Sequence, residues 1–275
     1  DRTTGWLTQY EVGGTNMLGN GGTLKANFWR ALTDNDMGAD FQHKLGVWRN
    51  PEMKLVSLTT QTVANGTMKA HPTVIACYDM PTVKAQLKLT YTIFEKGELN
   101  VKMQMTTDKN AKVSDMLRFG MVMQMPYNMD QIRYFGRGPI ENYSDRKASE
   151  RIGIYKQTAD NQFFPYIRPQ ETGTKQDIKW WQQTNTSGTG IVIHGLSGDL
   201  SMSALHYAIA DLDDGLEKGQ RHSYQVKKSP FTNLCIDKEQ TGVGGTNSWG
   251  EWPLERYRLH YGDRTYEFLL RPIVK

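Results

Sequence analysis

Glu141, Glu171, Glu239 and Glu251 are the carboxylates whose settings invite a chemical reading. Hydrolysis of a glycosidic bond with retention takes two carboxyl groups about 5 Å apart, one serving the leaving oxygen and the other attacking the sugar. Glu141 and Glu171 each follow a Pro-x step, in Pro139-Ile140-Glu141 and Pro169-Gln170-Glu171. Both therefore fall in loops and could meet in space, although no spacing rule brings them together. The simpler role is a carboxylate that accepts hydrogen bonds from its own loop, and that role is the expectation for each.

Trp249 is the other conspicuous residue. It lies in Gly242-Val243-Gly244-Gly245-Thr246-Asn247-Ser248-Trp249-Gly250, with little apolar sequence around it. An indole there is hard to read as core. Its flat face suits the C–H face of a pyranose, and its N–H can donate outward. Folded back, it would instead plug its own loop, and the residues alone leave both readings open.

Metal chemistry has weaker support. Asp34-Asn35-Asp36-x-Gly38-x-Asp40 places oxygen ligands at alternate positions, like the start of a calcium loop. The terminal glutamate that closes such a loop is not in place, so an Asx-type turn is expected. His43, His71, His194, His206, His222 and His260 show no zinc-ligand spacing. His206 and His260, beside tyrosines in amphipathic segments, read as structural. No catalytic and no metal-ligating residue is assigned to this chain.

The elements that must position these groups are strands. Ala85, Leu87, Leu89, Tyr91 and Ile93 alternate with polar residues, Glu95 to Glu98 supply a turn, and Leu99, Val101, Met103 and Met105 alternate in return. This is a hairpin with one buried face and one wet face. Leu117 to Met125 repeat the pattern, as do Tyr257 to Tyr261 and Tyr266 to Leu270. Trp6 to Val12 also alternates after the turn Asp1 to Gly5, as if a strand preceded it. Short helices are expected at Ser144 to Glu150 and Asp211 to Lys218. Adjacent side chains of a strand point to opposite faces, so one of Trp180 and Trp181 belongs to the core and the other to the surface or an interface. With no α/β alternation and no linker of Pro, Ser or Gly, residues 1–275 read as one all-β domain, a sandwich or barrel.

Composition narrows the function classes. The net charge is only +4, and the cations are scattered among anions, so no footprint for nucleic acid is present. No apolar run reaches the length of a membrane span. Cys77 and Cys235 are the 2 cysteines, too few to indicate a redox compartment. The compartment stays open between bacterial cytoplasm and periplasm.

The run Gly136-Arg137-Gly138-Pro139-Ile140-Glu141-Asn142-Tyr143-Ser144-Asp145 resembles a motif in the C-terminal domain of the large β-galactosidases of glycoside hydrolase family two. Trp29-Arg30-Ala31-Leu32-Thr33-Asp34-Asn35-Asp36 and Gly244-Gly245-Thr246-Asn247-Ser248-Trp249 carry the same resemblance, in the family's order and nearly from end to end. Pro165 to Gly173 is similar to a further run of that family. Leu32 stands where the family often has Pro, and Thr246 and Asn247 where it often has Asp. The resemblance implies a large antiparallel two-sheet sandwich of the galactose-mutarotase-like superfold, the C-terminal fragment of a longer multidomain glycosidase. It implies that the catalytic carboxylates lie on a barrel that precedes this domain, so the chain alone is expected not to catalyse. It implies no cofactor on this chain, any divalent metal of the full enzyme belonging to the barrel. The implied partners are a galactoside and the other domains of the same polypeptide. Trp249, with Ser248 and Asn247, would complete the sugar subsite across that interface, which tips the indole towards function. Two other readings remain. One is a free-standing aldose 1-epimerase, with Glu251 or Glu239 as base and His194 or His206 as partner, although the epimerase run Asn-His-x-Tyr-Phe-x-Leu has only Leu205-His206-Tyr207 as a poor match. The other is a carbohydrate-binding module using Trp249 and Trp252.

Overall fold

The alternation of Ala85 to Ile93 against Leu99 to Thr107 becomes a hairpin whose inward residues are buried from Ala85 to Tyr91 and from Leu99 to Met105, while Ile93 beside the turn is exposed. A computed structural model describes residues 1–63, 70–217, 219, 221–247 and 250–274. In chain order the strands are β1 (Glu11–Val12), β2 (Thr15–Asn16), β3 (Leu24–Asn27), β4 (Lys54–Val63), β5 (His71–Met80), β6 (Ala85–Ile93), β7 (Leu99–Thr107) and β8 (Arg118–Pro126). There follow β9 (Gln131–Gly138), β10 (Arg151–Thr158), β11 (Lys175–Ile178), β12 (Trp180–Thr184), β13 (Gly190–Gly195), β14 (Leu200–Leu205), β15 (Phe231–Gln240) and β16 (Arg264–Ile273). The helices are single turns: α1 (Asp34–Gly38), α2 (Phe41–Lys44), α3 (Ala159–Gln162) and α4 (Ile209–Leu212). Among the described residues no helix is long and apolar enough to cross a membrane.

All the pairings are antiparallel. A large sheet of 9 strands runs β10-β9-β12-β13-β16-β7-β6-β5-β4, and a small sheet of 5 runs β11-β14-β15-β8-β3. Their facing sides make one core: Leu87, Leu89, Val101 and Met103 from the large sheet meet Phe119, Met121, Met123 and Ile236 from the small one. Tyr266 of β16 ties the layers together. Its ring lies 5.8 Å from that of Phe119, and its hydroxyl donates to the Ile236 carbonyl at 2.8 Å. The fold is therefore the expected all-β, two-sheet antiparallel sandwich.

The tryptophan pair divides as expected. Trp181 is fully buried against Tyr134, while Trp180 is half-buried under the Arg133 guanidinium. Several local expectations are corrected. Trp6 to Val12 is not one strand. Leu7 makes a single bridge to Leu24, and only Glu11–Val12 pairs, with β2, because the Asn16 side chain takes the Tyr10 and Leu18 amides and turns the chain. Tyr257 to Tyr261 is not a strand either. A 3-10 turn spans Glu255–Tyr257 and Leu259 bridges Met116, the Tyr257 carbonyl being taken by the Gly242 amide. Ser144 to Glu150 is not helical, since Tyr143 and Arg146 pair their backbones in a tight turn. In the segment read as Asp211 to Lys218 the helix is only Ile209–Leu212, and it ends at Asp213, whose side chain is engaged by Trp29 and Arg49; Lys218 lies outside the described residues.

The small sheet's other face is polar yet covered. Arg118, Ser201, Ser203 and Asp237 point away from the core and are nevertheless buried, because the segments after β3, before β11 and after β14 fold over them. Gly120 makes room for this layer, since a Cβ there would collide with the Asp237 carboxylate.

Candidate functional site

The segments singled out by their polar motifs meet at one end of the sandwich. Thr33, Asp34 and Asn35, then Glu141, Tyr143 and Arg146, then Tyr166 and Glu171, line a small cavity of about 120 Å³ with Val243. Glu141 and Glu171 thus face the same space, as their loops allowed.

Each is engaged by hydrogen bonds from within the chain. Glu141 Oε1 accepts from Arg146 at 2.6 Å and from the Tyr166 hydroxyl. Its Oε2 accepts from the Thr172 hydroxyl at 2.9 Å and the Gly173 amide at 2.7 Å. Glu171 accepts from Arg118 at 3.0 Å and from Thr174 at 2.8 Å. Both carboxylates are loop acceptors, the structural role expected of them. Burial raises the Tyr166 phenol above its usual range, and the bond to Glu141 adds to that. Tyr143, fully buried beside both glutamates, is held well above a normal phenol, chiefly by burial. Lys175 lies behind the hub with its ammonium on the Gly173 carbonyl at 2.8 Å, and burial pushes it down to about 8 against the pull of Glu141 and Glu150.

The same end holds the root of the glycine loop. Arg30, fully buried, forks onto Asp36 through Nε at 3.1 Å and Nη2 at 2.8 Å, and also donates to the carbonyls of Thr241 and Gly242. Asp36 in turn closes a capping box with Thr33 at the start of α1. Asn35 donates to the Val243 carbonyl at 3.2 Å. Asp145 accepts from the Val243 amide at 3.1 Å and the Gly244 amide at 2.9 Å. Where the chain returns, Gly250 (φ +93°) packs on the Gly38 carbonyl so closely that no Cβ fits. Thr246 and Asn247 are exposed, and Asn247 has a partner within the chain. Ser248 and Trp249 lie outside the described residues.

Asp36 is thus spent on Arg30 and the Thr33 amide, which accounts for the acidic run as a capped turn. Among the described residues no group of His, Cys, Asp and Glu is clustered as a metal site. The residues weighed for an epimerase have separate partners. Glu239 on the small sheet pairs with Arg264 at 3.0 Å, and His194 on the large sheet faces Arg271 at 3.1 Å. His206 is buried, stacked on Tyr127 and bridged to Asp160, while Glu251 is exposed. Trp252 is no open platform. Phe41 meets it edge-on at 4.5 Å and the Arg258 guanidinium covers it at 4.5 Å.

Sequence reading missed the clamps. Arg30 and Asp145 both stood inside quoted motifs, but nothing local says that they reach the Gly242 loop. Arg118 was hidden more deeply, since its alternation marks it for a wet face and only the covering loops bury it.

Comparison with known proteins gives a consistent result. The sequence profile described as β-galactosidase small chain matches residues 1–270. A β-galactosidase of Priestia megaterium is 29% identical over 282 residues, an alignment covering 99% of this chain and 25% of that protein. One from Lactobacillus delbrueckii subsp. bulgaricus is 30% identical over 227 residues, covering 82% of this chain and 21% of the relative. The chain therefore spans about a quarter of the length of these relatives. Among solved structures, a GH36 α-galactosidase from Geobacillus stearothermophilus aligns with a TM-score of 0.44 at 9% identity, covering 81% of this chain and 28% of that one.

Proposed function

The chain belongs to the β-galactosidase small-chain family, and from that premise we propose that it is the C-terminal sandwich of an enzyme that hydrolyses terminal β-galactosides. It braces a catalytic barrel carried elsewhere on the polypeptide, and it presents the Gly242–Gly250 loop to the sugar site. Asn247, Ser248 and Trp249 are the substrate-contacting residues of that loop. The carboxylate pair that glycoside cleavage requires comes from the barrel, and any divalent metal belongs there too. The observation that carries the reading is the loop's root. Arg30, Asn35 and Asp145 converge on residues 241–244, while the nearby glutamates are consumed internally. The sandwich thus invests in holding a loop, not in arming an acid.

The test is hydrolysis of a chromogenic β-galactoside by the isolated chain, by the full-length polypeptide, and by that polypeptide ending before Asp1. Only the full-length form is expected to turn over. Turnover by the isolated chain that is abolished by Glu141→Gln or Glu171→Gln would place the chemistry here and refute the proposal.

A further inference from the structure

The outer face of the small sheet holds a pit of about 400 Å³, within the size range of small-molecule sites. One rank of cross-strand neighbours, Lys25, Val122, Cys235 and Ser203, crosses its floor. The next rank sets Gln124 beside Asn233 and Asn233 beside Leu205. Trp29, Thr172, Ile209 and Leu212 also line it. None of these residues belongs to the Gly242–Gly250 loop.

The charges in the pit cancel within the protein. Arg118 sits between Glu171 at 3.0 Å and Asp237 at 3.3 Å. Arg49 pairs with Asp213 at 3.2 Å and covers the Trp29 ring at 4.9 Å. Lys25 is the exposed end of the floor rank, at the rim, and among the described residues no ion pair engages it. Two amides have capacity left over. Gln124 accepts from Thr23 through its carbonyl at 3.3 Å, leaving its N–H groups. Asn233 donates to the Phe231 carbonyl at 3.4 Å, leaving its oxygen. A donor and an acceptor thus stand side by side on paired strands, next to the apolar surface of Val122, Leu205 and Ile209. An anion would find only the rim lysine, and a purely apolar ligand would strand the Asn233 oxygen. A ring bearing neighbouring hydroxyls on one edge and C–H groups on its face satisfies both halves.

We propose that this pit is a saccharide site separate from the Gly242–Gly250 loop, taking a single neutral hexopyranose. The proposal does not depend on the reading of that loop. The experiment is calorimetric titration of the full-length polypeptide with D-galactose and D-glucose. The comparison includes Val122→Phe, which fills the floor from a half-buried outward position, and Gln124→Leu, which removes the free donor. The expected result is a saturable binding phase, additional to any galactose held at the hydrolytic site, that survives Trp249→Ala, is lost in Val122→Phe and is weakened tenfold or more in Gln124→Leu, with hydrolysis of a β-galactoside unchanged in both pit variants. If Val122→Phe does not fold, Gln124→Leu decides alone. Absence of an additional binding phase for either sugar, a phase that both pit variants leave intact, or one that Trp249→Ala removes entirely overturns the proposal.

Discussion

The Glu141 loop and the Gly242–Gly250 loop share one end of the sandwich and differ in how they are held. Around Glu141 a side chain is the centre, and the bonds from Arg146, Tyr166, Thr172 and Gly173 converge on one carboxylate. In the glycine loop the held groups are backbone, the carbonyls of residues 241–243 and the amides of 243–244, and the side chains that hold them come from elsewhere in the chain. A hub of the first kind locks itself, since both oxygens of its carboxylate already accept from the chain. A loop of the second kind is held through its backbone, so its position is set by residues from elsewhere in the chain. Conspicuous carboxylates in a motif can therefore be scaffolding for a neighbour that looks plainer.

The contrast can be broken at several points. The largest effect is expected for Arg30→Met, which leaves Asp36 buried without its counter-ion and releases the loop root together. A loss of about 3–5 kcal/mol in denaturant unfolding is expected, and a change under 1 kcal/mol would show that Arg30 is not the clamp. Glu141→Gln comes next. The amide nitrogen cannot accept the donors that surround it, so about 2–3 kcal/mol of stability should be lost. In the full-length enzyme hydrolysis should then fall only in proportion to the folded fraction, whereas an abolished rate in well-folded protein would restore Glu141 as a catalytic candidate. Trp249→Ala should do the reverse, lowering kcat/KM on a β-galactoside by an amount worth about 1–3 kcal/mol, roughly 5- to 150-fold, with an unchanged melting temperature. Full activity with a lowered melting temperature would make the indole a plug.

The smallest effect at neutral pH is expected at Lys175, where Lys175→Met gives up the bond to Gly173 but removes a buried amine. What changes is the pH dependence. Burial disfavours the ammonium, so the folded chain releases its proton near pH 8 while the unfolded chain keeps it to about 10.5. The unfolded state binds more protons in that window, and stability should rise as pH climbs through it. Melts from pH 7 to 10.5 should show this rise in the unmodified chain and a flatter profile in Lys175→Met. Identical slopes would mean that Lys175 is hydrated in solution.

The strands with one wet face were legible because their signal is local. β6 and β7 fall where period-two alternation placed them. The failures have one physical form, a local pattern overridden by a distant partner. Ser144 to Glu150 has helical composition, but Asp145 is committed to amides at Val243 and Gly244. Tyr257 to Tyr261 alternates like a strand, but its backbone is claimed by Gly242 and Met116. The loops of Glu141 and Glu171 could be read as free to meet, but the wider meeting of the polar segments was not legible, since no spacing rule links Arg30 to Thr241. The burial of Arg118 needed the covering loops, which carry no periodicity.

The contact of Gly250 with the Gly38 carbonyl has a bearing on how this loop can vary. Its returning leg is seated backbone to backbone on the end of α1, as a key is seated by its profile and not by its finish. Seating of that kind is indifferent to which side chains occupy positions 246 and 247, so Thr246 and Asn247 can change without moving the leg. The tolerance stops at the contact itself, where even a methyl group on Gly250 would push the returning leg off the helix.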